Sequence, residues 1–264
     1  MHDLTLNDGR TMPALGMGTY LIPDAQVGHV VRRGLDLGIR LVDTAAIYDN
    51  ERGVGDGYKG SDAFLTTKLW NDRHDDAAAA LEESLALLGV DAVDLYLIHW
   101  PKPGQDRYVD AWRALIALRD AGKARSIGVS NFLPEHIDAI VAATGVTPAV
   151  NQIELHPKFQ QRDLQAYNTA HGIITQSWSP LGQGDVLKDP AIVAIADRIG
   201  RSTAQVVIAW HLAHGLSVIP KAADADHLSD NAASADVALS AEDIAAIDAL
   251  DDADGRIGPD PAAF

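Results

Sequence analysis

The stretch AFLTTKLWNDRHDDAAAALEESLALLGVDAVDLYLIHW, residues 63–100, decides the architecture. It opens and closes on short apolar runs, AFLTTKL (63–69) and VDLYLIHW (93–100). Between them DAAAALEESLALLGV (76–90) carries a helical pattern and ends at Gly89, a residue suited to a helix C-cap. Strand, helix and strand in that order make the repeating unit of a parallel sheet covered by helices.

The rhythm continues in both directions. Further apolar runs are ALGMG (14–18), RLVDTA (40–45), RSIGVS (125–130), AVNQIEL (149–155), IITQSWS (173–179) and LSVIP (216–220). Helical patterns lie at 108–123, ending near Gly122, and at 133–144, 189–200 and 202–215, where Ser202 is the N-cap candidate. Eight strand signals in 264 residues fit a closed (β/α)8 TIM barrel better than an open doubly wound sheet. Ahead of them LTLNDGRTMP places Asn-Asp-Gly between two apolar stretches, the signal of an N-terminal β-hairpin. No linker-like segment interrupts the chain, so residues 1–264 read as a single barrel domain with DDADGRIGPDPAAF (251–264) as a C-terminal loop.

Bulk composition narrows the function. The net charge of −16, from 37 acidic and 21 basic residues, repels phosphate backbones and anionic membranes and disfavours nucleic-acid binding. With no cysteine there is no disulfide, thiolate nucleophile or Cys-ligated metal, as fits a reducing, cytoplasmic setting. No signal peptide and no membrane-length apolar run is visible.

In a barrel of this kind, function gathers where strands end. Those ends carry Gly18-Thr19-Tyr20, Asp43, Lys68, His99-Trp100, Ser130-Asn131, Gln152, Glu154, Trp178-Ser179 and Lys221. Singly, each has an ordinary explanation: Asp43 as a cap, Tyr48 as a packing ring, His99 as a satisfied polar residue. Jointly they suggest a proton-transfer device. Asp43, Lys68 and His99 end successive strands about 5 Å apart, and Tyr48 lies just after Asp43. A lysine held by a carboxylate is expected to lower the pKa of the tyrosine, and the imidazole to orient a carbonyl. A metal-dependent hydrolase would need several His and carboxylate ligands at strand ends, and only His99 sits at one; no metal is expected. PLGQG (180–184) is a weak candidate for a sugar-phosphate loop.

The motifs DTAAIYDNE (43–51), LTTKLW (65–70), LIHWP (97–101), SIGVSNF (126–132), NQIELHP (151–157) and SWSPLGQG (177–184) occur in the order of the aldo-keto reductases, and the chain resembles that family from Gly16 onward. VNQIELHPKFQQRDL and GRIGPDP are similar to the bacterial branch of 2,5-diketo-D-gluconate reductases. The resemblance implies a monomeric NADPH-dependent reductase of small aldehydes and ketones. It makes Tyr48 the general acid, supported by Lys68 and Asp43, with His99 orienting the carbonyl. It places Trp178 on the nicotinamide ring, with Ser130, Asn131 and Gln152 on the carboxamide. Gly18, Thr19, Ser179 and Leu181 join the cofactor site, with PLGQG over the pyrophosphate. Tyr20, Trp70 and Trp100 wall the substrate pocket. The missing G-x-G-x-x-G is compatible with a barrel reductase, since GVGDG (53–57) has the wrong spacing. A silent, regulatory nicotinamide-binding barrel is the alternative, and the intact four residues argue against it.

Two departures stand out. In IPKAADADHLSDN (219–231) Lys221 matches the family's contact to the 2′-phosphate, and Asp230 and Asn231 match adenine contacts. Ala222 and His227 stand where the family usually has Ser and Arg, and Asp224 and Asp226 add negative charge. Weaker discrimination between NADPH and NADH is therefore expected. The second departure is the short, glycine-rich RGVGDGYKGSDAF (52–64) between Tyr48 and Lys68. The C-terminal loop, also short, suggests an open pocket.

Overall fold

Strands β1 (Asp3–Thr5) and β2 (Thr11–Pro13) form the expected antiparallel hairpin, turning at Gly9 with φ 87°. The coordinates are a computed structural model and describe residues 2–264. The hairpin lies at the N-terminal end of the sheet, where the Asn7 amide donates to Pro148 O and Leu6 and Met12 pack on Leu41, Leu95 and Val150.

The eight parallel strands follow: β3 (Met17–Gly18), β4 (Leu41–Asp43), β5 (Phe64–Leu69), β6 (Val93–Ile98), β7 (Ala124–Ser130), β8 (Val150–Glu154), β9 (Ile174–Trp178) and β10 (Ser217–Val218). They lie in sequence order in one sheet. Parallel bridges from Leu15 to Val218 and from Gly18 to Lys221 bring the last strand back to the first. This is the expected barrel.

Helices α1 (Asp24–Asp36), α2 (Glu51–Tyr58), α3 (Ala77–Leu88), α4 (Tyr108–Asp120), α5 (Pro134–Thr144), α6 (Arg162–Ala170), α7 (Pro190–Ile199), α8 (Thr203–Ala213), α9 (Ala225–Ala232) and α10 (Ala241–Asp248) complete the chain. Gly89 caps α3 in the left-handed region, and Ser202 and Gln205 form a capping box on α8. The sequence patterns marked none of α1, α2, α6, α9 or α10.

Helix α2 is the instructive miss. Its glycines oppose helix formation by about 1 kcal/mol each. They are there for contact: a Cβ on Gly53 would lie 2.2 Å from Asp24 O, and one on Gly57 2.3 Å from Gly28 O. The bare backbones of α1 and α2 therefore close on each other, and tertiary packing overrides propensity. Gly57→Ala is expected to destabilise the protein by about 1–3 kcal/mol through overpacking. Urea unfolding reads this, and an unchanged midpoint would contradict the close approach.

Candidate active site

The site begins with the turn after β4. A 3₁₀ turn, Ala46–Tyr48, swings Tyr48 over the mouth. Asn50 anchors that turn: its side-chain amide donates to Thr19 O and Ile22 O, both at 2.9 Å, and its Oδ1 accepts from Thr44 Oγ1. Asn50 is buried, and both its amide nitrogen and its oxygen are hydrogen-bonded. The sequence reading did not single it out.

Lys68, wholly buried on β5, points into the same place. Its ammonium donates to Asp43 Oδ1 at 2.5 Å and Thr44 O at 2.8 Å, with the Tyr48 hydroxyl at 3.5 Å. The second Asp43 oxygen accepts from Gln152 Nε2 at 2.8 Å. Gln152 Nε2 also donates to Gln176 Oε1, and Gln176 Nε2 donates to Ser217 Oγ. A buried ion pair needs such additional partners to offset desolvation. The chain of amides across β8, β9 and β10 supplies them.

His99 completes the group. Its ring stands edge-on to Tyr48 at 5.7 Å and to Trp70 at 5.1 Å. Nδ1 is buried without a partner, so we assign the proton to Nε2, because an N–H on Nδ1 would be stranded in the interior. Burial, then the Lys68 charge, holds its pKa well below the ordinary histidine range. The ring is therefore neutral, a hydrogen-bonding group rather than an acid.

The expected lowering of the Tyr48 pKa is corrected. Burial first, then the negative charge of Asp43, pushes the phenol well above its ordinary value. Burial likewise pushes the Asp43 carboxyl up and the Lys68 ammonium down, while their attraction opposes both shifts. The resting phenol therefore keeps its proton.

Of the expected pocket walls, Tyr20 is exposed with its ring 5.1 Å from that of Tyr48, Trp70 is partly exposed, and Trp100 is buried. A further wall comes from the C-terminal loop. The Phe264 ring lies 4.7 Å from Trp100 and 6.4 Å from Trp70, with the Lys102 ammonium 4.9 Å from its centroid. The loop thus folds over the mouth, which corrects the expectation of an open pocket. No periodicity in the sequence announces this contact.

The remaining predicted residues gather on the other side of the mouth. Trp178 is half-buried, and its indole N–H donates to Asn131 Oδ1 at 2.8 Å. Asn131, at φ 62°, also donates from its amide to His99 O and Ser130 Oγ. Ser130 donates to Gln152 O, and Thr19 donates through its hydroxyl to Asp43 O. Gly18 is buried, and Ser179 takes φ 47° just before Leu181. Strained non-glycine residues at strand ends are a mark of functional sites. Farther out, Lys221 and His227 are exposed. Asp224 caps α9, its carboxylate accepting from Asp226 N and His227 N. Asp230 accepts from Ser202 Oγ, and Asn231 is buried. Among the described residues no group of three His, Asp or Glu is placed to hold a metal.

A (β/α)8 barrel whose mouth joins a buried Lys–Asp pair, a tyrosine and a neutral histidine has the equipment of a proton-donating oxidoreductase. The comparisons make this specific: the model of the aldo/keto reductase family matches residues 14–252, and the chain belongs to that family. It is 47% identical over 268 aligned residues to the methylglyoxal reductase DkgA of Yersinia pestis, covering 99% of this chain and 96% of that one. It is 44% identical to DkgA of Escherichia coli K12, covering 99% and 97%. Among solved structures, a mutant of Gox0644 in complex with NADPH superposes with a TM-score of 0.98 at 48% identity, covering 100% of this chain and 98% of that one.

Proposed function

We propose that this chain reduces aldehydes and ketones to alcohols with NADPH, and that Tyr48 donates the proton. The observation that carries the reading is the Tyr48 hydroxyl beside the buried Lys68–Asp43 pair, with neutral His99 across the mouth. Trp178 supports the cofactor assignment: it offers a partly exposed indole held by Asn131, whose amide also donates to His99 O. Trp178, Ser130, Asn131 and Gln152 would hold the nicotinamide end, with Gly18, Thr19, Ser179 and Leu181 around it, and Lys221, His227, Asp230 and Asn231 the adenosine end. Bound NADPH supplies a hydride to the carbonyl carbon.

The protein residues handle the proton. His99 Nε2–H donates to the carbonyl oxygen and fixes its position. As negative charge grows on that oxygen, Tyr48 gives up its proton to it. An alkoxide is more basic than an ordinary phenolate by roughly five pKa units, a margin that favours the transfer. Lys68 then faces the phenolate and steadies it until solvent returns the proton. Residues 1–264 act here as one catalytic domain, a cytoplasmic monomer, and no described helix is long and apolar enough to cross a membrane. The DkgA relatives make methylglyoxal a natural first substrate.

Absorbance loss from NADPH on adding methylglyoxal or a nitrobenzaldehyde tests this directly. No loss with either aldehyde, alongside tight NADPH binding, would favour a silent binder. The nucleotide preference has its own test. Near α9 a 2′-phosphate would meet Lys221, while two first-turn amides, those of Asp226 and His227, are already taken by Asp224, whose pKa they lower. His227→Arg is expected to tighten NADPH binding about fivefold and to leave NADH unchanged. Equal tightening of both would contradict the phosphate assignment.

A further inference from the structure

Glu154 ends β8 at the barrel mouth and has no part in the proton-donor group. Its side chain is buried, and His156 Nε2 lies 3.3 Å from Oε1, within hydrogen-bond reach. Both carboxylate oxygens also reach the C-terminal loop: Oε1 accepts from Ile257 N at 2.6 Å and Oε2 from Gly258 N at 2.8 Å. Burial acts to raise the carboxyl pKa, but His156 and these two amides outweigh it and hold Glu154 below the usual range. An acceptor-only group facing two adjacent N–H donors makes the stronger, charge-assisted kind of hydrogen bond.

What the loop touches gives the contact its meaning. A Cβ on Gly258 would lie 2.5 Å from the far edge of the Trp178 indole, so only a glycine lets the loop lie against that ring. Beyond it the chain carries Phe264 onto Trp100. One carboxylate, fixed on a rigid strand, therefore holds the segment that backs Trp178 and supplies a wall of the pocket.

We infer that Glu154 is a positioning residue, a clasp that holds the 255–264 loop against Trp178 and Trp100. Through that loop it sets how long the nicotinamide stays and how firmly a bulky substrate is gripped. The kinetic part of this inference rests on the reductase reading; the clasp itself does not.

The test pairs Glu154→Ala with Gly258→Ala in the full chain bound to NADPH. Glu154→Ala removes the acceptor, while Gly258→Ala keeps the carboxylate but places a methyl 2.5 Å from the Trp178 ring and 2.9 Å from Glu154 Oε2, pushing the loop off both. Hydrogen–deuterium exchange of the peptide 252–264 is expected to speed up about tenfold or more in both, as for the loss of a charge-assisted hydrogen bond, with the barrel strands unchanged. NADPH dissociation should quicken by a similar factor. KM for a nitrobenzaldehyde should rise with little loss of kcat, while KM for methylglyoxal, too small to reach Phe264, should move less than about threefold. Unchanged exchange in Glu154→Ala would overturn the clasp, whatever Gly258→Ala does. So would equal loss of kcat on both aldehydes with KM unmoved, which would put Glu154 in the chemistry. If exchange quickens but wild type oxidises no NADPH with any carbonyl, the reductase reading fails and the clasp stands. Should Glu154→Ala not fold, Gly258→Ala decides by the same readouts.

Discussion

Tyr48→Phe is expected to lower kcat for NADPH-dependent reduction by roughly 10²–10⁴-fold, the usual contribution of a positioned general acid. NADPH affinity should stay within about tenfold, since at most one hydrogen bond of about 0.5–1.5 kcal/mol is lost. The substitution separates chemistry from folding cleanly. Phenylalanine keeps the ring contacts with Tyr20 and His99 at 5.1 and 5.7 Å, so no cavity opens. Lys68 keeps its other two partners, Asp43 Oδ1 and Thr44 O. Stability should therefore be close to wild type. The raised phenol pKa also fixes the sign of the pH dependence. A group held above its ordinary value keeps its proton until pH climbs past that value, so kcat should not fall before about pH 10. A basic limb near neutrality, or wild-type turnover in Tyr48→Phe, would mean that another group is the acid.

Lys68→Met should cost both stability and turnover. The wild-type pair is wholly buried, and removing the cation strands Asp43 with the Gln152 amide. Breaking a buried pair from one side costs about 3–5 kcal/mol. Asp43 would relieve part of this by taking up a proton, its carboxyl being already pushed up by burial. Turnover should fall by roughly 10³-fold, because the phenolate formed on proton transfer then has no cation beside it. The double variant Asp43→Asn/Lys68→Met removes both charges. It should recover much of the stability and none of the activity. Urea unfolding and steady-state kinetics on the three proteins check this together. A single variant as stable as wild type would contradict the ion pair, and an active double variant would contradict the role of Lys68.

The parts legible in the sequence are those with local signatures. The apolar runs became β3 to β10 because each strand is buried by helices on one side and barrel interior on the other. Gly89 and Ser202 marked helix ends through backbone conformation and hydrogen bonding that act within one turn. Asp43, Lys68 and His99 could be grouped because barrel geometry brings strand ends together. The rest depends on contacts distant in sequence. Helix α2 exists because Gly57 meets Gly28, which no propensity reveals. The amide chain from Asp43 through Gln152 and Gln176 to Ser217 crosses most of the barrel. The direction of the Tyr48 shift was misjudged because pairing with Lys68 can be guessed from spacing, whereas complete burial cannot. Phe264 was missed because it reaches Trp100 only through a loop that Glu154 ties down.

The most direct measurement follows a label. NADPH carrying two deuterium atoms at nicotinamide C4 is supplied with methylglyoxal in ordinary water, and the alcohol is analysed by mass spectrometry. Hydride transfer from the cofactor predicts one deuterium on the carbinol carbon per NADPH consumed. Alcohol free of deuterium, or NADPH loss without alcohol, would contradict the account.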